Sequence, residues 1–254
     1  MDSIPLISFK FFGKYGHFRK PYSNVSSLSY PFPPRTAIAG LLGAILGIPK
    51  GEIAERFNER NLSAAIEITS AIKTTTHVTN FRQDSSGGID YSIKHTRKNA
   101  GKKELKKIPE WNMATQIPME LLRSPSYTLY INLKKNMQEL VSRIRSERYV
   151  YTPCMGLSEF LAELEYISFD VAKPLDIGEH EIYTIVGKED CVLSIDKLDV
   201  KMGHQILELK APYLGTSDRR FTYKRYLLNM LQKPLPVRMN ICPYQFEDKA
   251  ITFL

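Results

Sequence analysis

Arg19 is the residue of this sequence best suited to hold an anion, because of what surrounds it. It stands with Tyr15, His17, Phe18 and Lys20 in a polar loop opened by Gly13 and Gly16 and closed by Pro21. A guanidinium can make paired hydrogen bonds to phosphate oxygens, and aromatic rings can stack on unpaired bases. These residue types in one short loop fit contact with single-stranded nucleic acid, and they also fit an ordinary basic loop. Arg35 and Thr36 form a second candidate. They follow Tyr30-Pro31-Phe32-Pro33-Pro34 and open a predicted helix, whose first backbone amides lack intrahelical partners and favour an anion. Arg35 would add charge there and Thr36 a hydroxyl.

The third candidate is a run of cations. Between Tyr91 and Lys107 stand Lys94, Arg97, Lys98, Lys102, Lys103, Lys106 and Lys107, opposed only by Glu104. Lys94, Arg97 and Lys98 are the proposed phosphate contacts. Trp111, the only tryptophan, and Met113 follow, and either could wedge against a base or simply pack the segment down. Arg219, Arg220, Lys224 and Arg225 gather around Phe221 and Tyr223 in a fourth, less specific cluster. The whole chain carries a formal charge of +8, with a pI near 9.2, which suits a polyanionic partner such as RNA or DNA.

Cutting RNA without a metal needs a base, an acid and a cation for the developing charge. His17, His77 and His95 with Tyr15, Tyr91 and nearby lysines are the available groups, but they form no compact motif. Cleavage therefore stays an alternative to plain binding. No cluster of acidic residues and histidines has metal-ligand spacing, and no phosphate-binding or dinucleotide fingerprint appears, so no cofactor is expected. Cys154, Cys191 and Cys242 are far apart and predict neither a disulfide framework nor a zinc site. The longest apolar run, Ala37–Ile48, is too short and glycine-broken to span a bilayer, and the first residues do not read as a signal peptide, so the expected location is the cytoplasm, away from membranes.

The elements that must position these residues follow from periodicity. Ile4–Phe12 reads as a strand. Ile38, Leu41, Leu42, Ile45 and Leu46 recur at helical spacing, predicting a helix over Arg35–Leu46 that Gly47 and Pro49 end. A short helix is predicted near Lys50–Asn58 and a strand over Ala64–Lys73. From Thr74 to about Ser124 the pattern dissolves into an insertion. Ser126–Leu133 reads as a strand, Lys134–Arg148 as a helix and Phe160–Phe169 as a fourth main strand. This β-α-β-β-α-β order is that of the ferredoxin-like (RRM-like) fold, whose RNA-binding members use the open sheet face. After Pro174 only short strands follow. The expectation is an α+β chain: a ferredoxin-like domain at residues 1–170, then a mostly antiparallel β domain at residues 171–254.

Phe9–Phe18 leading to Arg19, then Ser27–Tyr30, then Pro33-Pro34-Arg35-Thr36-Ala37-Ile38-Ala39-Gly40-Leu41-Leu42-Gly43-Ala44-Ile45-Leu46-Gly47 resembles the N-terminal signature of the Cas-five family. These are RAMP-type CRISPR-associated subunits of type I Cascade complexes. Tyr151-Thr152-Pro153-Cys154-Met155-Gly156-Leu157-Ser158-Glu159 is similar to the family's later glycine loop. The resemblance implies a ferredoxin-like domain with an inserted hairpin thumb, at about 74–124, and a C-terminal β domain. It implies binding of the 5′ handle of CRISPR RNA at the candidates named above, and contact with a backbone subunit and a large subunit. Contact with target DNA stays undecided. Most type I members are noncatalytic, one subtype cuts the precursor itself, and the closest likeness is to the noncatalytic type I-B form.

Overall fold

The computed structural model describes residues 2–22, 26–81, 115–198, 204–216 and 220–254. Strand β1 (Ile4–Phe12) lies at the centre of its sheet, between β8 (Ser126–Leu133) and β9 (Glu163–Pro174), and β8 pairs in turn with β5 (Leu62–Ile68). All three pairings are antiparallel, so the order across this region is β9-β1-β8-β5. Alternate residues of a strand face opposite sides. Ile7, Phe9 and Phe11 of β1, with Leu129 and Ile131 of β8 and Ala64 and Ile66 of β5, face one side and are buried there. Helices α1 (Arg35–Leu46) and α3 (Met137–Arg145) cover that side with Ile38, Leu42, Ile45, Leu140 and Ile144. Burying a side chain of this size stabilises the fold by roughly 1.5–3 kcal/mol. Helix α1 ends as its sequence predicts: Gly47 takes a left-handed φ of 73°, and its amide donates to the Gly43 carbonyl.

The other face of the sheet does not stay open. Beyond β9 the sheet continues through β16 (Tyr244–Phe246), β17 (Lys249–Ile251), β10 (Glu179–Ile182), β15 (Leu235–Met239) and β12 (Cys191–Leu193). This extension curls back, so that the Ile185 and Leu254 amides donate to the Ile66 and Ala64 carbonyls of β5 at 2.8 and 2.9 Å. Leu6, Ala65, Tyr130 and Ala172 are thereby buried against Phe246 and Ile251. Phe246 stands edge-on to Tyr130, 5.6 Å between ring centroids, and the Tyr130 hydroxyl donates to Glu67. The residue-170 boundary expected from sequence falls inside β9. Residues beyond it, among them Ile185, Ala211, Tyr226, Leu228 and Leu254, join the core under α1.

Two further ribbons leave this body. The ends of the expected insertion pair as an antiparallel hairpin, β6 (Thr74–Phe81) with β7 (Thr115–Arg123), in register from Thr74↔Leu122 to Phe81↔Thr115. Strand β13 (Ile206–Gly215) pairs with β14 (Phe221–Asn229), and β14 with the short β11 (Val186–Gly187). No helix among the described residues is long and apolar enough to cross a membrane.

Arg35 joins these pieces. It is buried at the start of α1, where its Nη1 donates to the Phe57 carbonyl and its Nη2 to those of Asn58 and Leu62, at 3.1, 2.9 and 2.7 Å. The guanidinium also lies 5.1 Å from the ring centroid of Tyr213 on β13. It thus ties α1 to the end of the short helix α2 (Ile53–Arg56), to β5 and to the C-terminal ribbon. Arg35→Ala would leave three carbonyls without that donor and should destabilise the protein by about 3 kcal/mol. Arg35→Lys should recover little of it, because an ammonium cannot reproduce the planar fork. Urea unfolding midpoints of the two variants check this.

Candidate nucleic-acid interface

The two loops that carry the family resemblance meet in space. Strands β2 (Tyr15–Gly16) and β3 (Phe18–Arg19) form one side, and residues 153–161 the other. The His17 amide donates to the Met155 carbonyl at 2.9 Å, and Met155 is fully buried between the loops. Gly156 adopts φ +93°, and a Cβ there would fall 2.0 Å from the His17 carbonyl oxygen. The contact is therefore closed to any other residue at that position. Tyr15 and Phe160 complete it, with ring centroids 6.4 Å apart.

His17 fastens a third segment. Its Nδ1 lies 2.8 Å from the Glu120 carbonyl on β7, and its Nε2 lies 2.9 Å from Ser27 Oγ. A carbonyl can only accept, so the neutral ring carries its proton on Nδ1 and Nε2 accepts from the serine hydroxyl. The Ser27 amide donates to Pro118, the Glu120 amide to Ser27, and the Ser29 amide to the Glu120 carboxylate. Residues 27–30 are thus bound along the base of the hairpin. Strand β4 (Ser29–Tyr30) pairs with β3, which sets Arg19 opposite Ser29.

The structure sorts the candidates predicted from sequence. Arg19 is exposed on β3, and Lys20 follows it, half-buried, with Nζ 5.8 Å from the Tyr30 ring centroid. These two remain placed to meet a ligand. His17 does not: it is buried and both ring nitrogens are engaged, so its part is to hold the loop that displays Arg19. Arg35 does not either, since its donors are spent on backbone carbonyls. A charge at a helix start looks like an anion site in sequence, and here it is an internal clamp. Thr36 is half-buried in the first turn of α1 and lines a cleft of about 540 Å³ with Gly40, Lys50, Ile53, Tyr213 and Phe221. Lys94, Arg97, Lys98, Trp111 and Met113 lie outside the described residues. The sheet face used by RNA-recognition folds is filled at Tyr130 by Phe246.

Sequence reasoning missed the cations at the hairpin base. Tyr15 pairs with Arg123, the Arg123 amide donates to the Lys73 carbonyl, and the Ser124 amide to that of Lys14. Lys14, Lys73 and Arg123, all exposed, are thereby gathered beside exposed Tyr15. Lys14 shares the Arg19 loop, but Lys73 and Arg123 lie far from it in sequence, and only strand pairing brings the three together.

A model of the CRISPR-associated protein (Cas_Cas5) family matches residues 6–201. Among solved structures, one described as a CRISPR RNA-guided surveillance complex matches at 11% identity, covering 92% of this chain and 91% of that one, with a TM-score of 0.51. A CRISPR protein from Archaeoglobus fulgidus matches at 10% identity, covering 98% of both chains, with a TM-score of 0.53. No curated protein sequence matches. The fold, shared with these structures, is a sheet-rich α+β one, and the sequence match makes the protein CRISPR-associated. The chain belongs to the CRISPR-associated Cas_Cas5 family, as its sequence signature implies.

Two expected outcomes follow from this geometry. Gly156→Ala should cost on the order of 2 kcal/mol or more, through the left-handed φ and the His17 contact, seen as a lower denaturation midpoint. His17 should make stability depend on pH. Burial, aided by the Arg19 charge and opposed by the Glu120 contacts, lowers its pKa below the ordinary 6.5. The unfolded chain therefore takes up the proton first as pH falls. The contribution of His17 is complete above about pH 6.5 and is lost progressively below it, toward the lowered folded value. Unfolding curves at about pH 7.5 and about pH 5.5 should differ less for His17→Asn than for the wild type.

Proposed function

We propose that this chain is a noncatalytic RNA-binding subunit of a type I Cascade effector complex that caps the 5′ handle of the CRISPR RNA. The observation that carries this reading is the joining of the Arg19 loop, the Gly156 loop and the hairpin base into one surface. Arg19, Lys14, Lys73 and Arg123 are exposed on that surface. Family membership supplies the CRISPR context, and the likeness to a CRISPR RNA-guided surveillance complex is consistent with it.

In this reading, β1-α1-β5-β8-α3-β9 is a ferredoxin-like unit and the β6–β7 hairpin is the base of the thumb. The handle runs beside the thumb rather than across the sheet, whose second face the C-terminal strands occupy. Phosphate contacts set affinity and register, while unstacked bases supply sequence preference. Lys94, Arg97, Lys98, Trp111 and Met113 are proposed contacts further along the insertion, and Thr36 a contact at the start of α1. A backbone subunit and a large subunit are the proposed protein neighbours, in a cytoplasmic ribonucleoprotein of the type I-B kind.

The engagement of His17 favours binding over cutting. Its only proton acceptor, Nε2, is taken by Ser27, so it is not placed to take a proton from a ribose hydroxyl. The test is to incubate purified protein with labelled repeat RNA, without metal, and to run native and denaturing gels. Intact RNA in a retarded band that prefers the processed 5′ handle is the expected result. A discrete cleavage product, lost on mutating a histidine or tyrosine, would overturn the noncatalytic reading. Arg19→Ala should weaken handle binding about tenfold or more and reduce the salt slope by about one phosphate's worth. Unchanged binding and slope would remove Arg19 from the site.

A further inference from the structure

Three tyrosines gather where the Arg19 loop approaches the C-terminal ribbon. Tyr30 is buried, and its hydroxyl has no hydrogen-bond partner among the described residues. Burial raises its pKa, with Tyr22 and Tyr223 adding to the shift, and two residues on, Phe32 stands edge-on to Tyr226 of β14, 5.9 Å between ring centroids, which brings this segment against the ribbon. Tyr22 is 65% exposed and Tyr223 is half-buried on β14. Cations lie by the rings: Lys20 Nζ is 5.8 Å from the Tyr30 centroid and Lys210 Nζ is 5.6 Å from that of Tyr223.

Strand register shows which face of the ribbon these groups share. Lys210 pairs with Arg225 and Pro212 with Tyr223, so Lys210, Tyr223 and Arg225 lie on one face, and alternation adds Phe221. Phe221 is 44% exposed and also borders the cleft that holds Thr36. The opposite face packs under α1 through Ala211, Tyr226 and Leu228, while on the shared face Leu227, at the far end from Phe221, is buried against the cluster of Val186 and Leu235. Phe221 and Tyr223 are therefore not required to hold the ribbon in place. Arg225 is occupied by Glu189 and Glu208, at 3.3 and 3.9 Å, which leaves Lys210 as the cation beside the exposed rings.

We propose that Tyr223 and Phe221 on β14, with Tyr22 and the cations Lys20 and Lys210, form a stacking surface for unpaired bases of single-stranded RNA. The proposal rests on the RNA-binding reading above and extends its site onto the C-terminal ribbon. An RNA strand gripped at Arg19 passes Lys20 and Tyr22 and lays its next bases on Tyr223 and then Phe221. Aromatic faces accept any base, and flanking ammonium groups meet the phosphates between them. This surface holds the strand without reading its sequence.

The test uses the full chain, the 5′ handle RNA, a short oligouridylate and an RNA duplex of equal length. Tyr223→Ala and Phe221→Ala should each weaken oligouridylate binding about tenfold. Tyr223→Phe should keep it, because stacking does not need the hydroxyl. The salt slope should be unchanged in these variants and fall by about one in Lys210→Ala. The duplex should bind the wild type and the aromatic variants alike. In the wild type, 5-iodouridine in the handle should photocrosslink to the peptide containing Phe221 and Tyr223, a readout that needs no variant to fold. Wild-type protein that binds no RNA would sink the RNA-binding reading and this surface with it. RNA binding that survives both alanine variants, with crosslinks only elsewhere, would overturn the stacking surface and leave the Arg19 site standing. The same result with lost co-assembly of other complex subunits would make the ribbon a protein-docking face.

Discussion

Everything on the candidate RNA surface hangs from one buried imidazole. His17 holds the Glu120 carbonyl on the hairpin and the Ser27 hydroxyl on the returning chain, while its own amide and carbonyl meet Met155 and Gly156. Four stretches of chain, around residues 17, 27, 120 and 155, are thereby set against one another. Folding must order each of them at a cost of roughly 1–2 kcal/mol per residue, offset in part by burying Phe18, Tyr30, Leu122 and Met155. A shared buried hydrogen-bonding centre adds to that packing and fixes how the segments meet. The price of it is that the ring must stay neutral and enclosed, which removes from chemistry the histidine nearest Arg19.

The closure of the sheet has a functional consequence of its own. A ferredoxin-like arrangement with both helices on one face would leave Tyr130, Ser8 and their neighbours open to bases. Here the C-terminal strands curl under that face, and Phe246 occupies the ring edge of Tyr130. Lys249 adds an ion pair to the half-buried Glu67 of β5 at 2.8 Å, tying the last strand to the first unit. Residues beyond 170 are then part of what makes the earlier strands stable, rather than an appendage. On the proposed reading, RNA contact falls at the rim, where loops, hairpin base and ribbon come together.

How legible this was depended on the range of the signal. Helix α1 could be read because its apolar residues repeat locally and Gly47 supplies the left-handed stop. The hairpin arms could not, because Thr74, Thr75 and Thr76 show no apolar alternation and only the base of the partner arm, at Leu121 and Leu122, is buried. Arg19 was singled out through its neighbours in the loop, and it is exposed there. Arg35 was found but misread: a cation at a helix start attracts phosphate or backbone carbonyls alike, and only the course of residues 57–62 decides which. Lys73 and Arg123 had no local signal, since strand pairing is what assembles them with Lys14 of the Arg19 loop.

The surplus of positive charge also means something different once it is placed. Arg143 pairs with Glu139 on one face of α3, Arg56 with Glu52 beside α2, and Arg225 with Glu189 and Glu208 on the ribbon. Exposed pairs of this kind add little stability, about 0–1 kcal/mol each. Their larger effect is to neutralise cations that a phosphate would otherwise see. Among the described residues no ion pair takes Lys14, Arg19, Lys73 or Arg123, and these are the cations that line the joined loops and the hairpin base. A field summed over such a group reaches beyond any one side chain and falls off over roughly 10 Å at about 0.1 M salt. A basic pI alone is shared by many proteins. What favours a polyanion is the gathering of cations outside any ion pair of the described residues at the surface that His17 and Gly156 hold together.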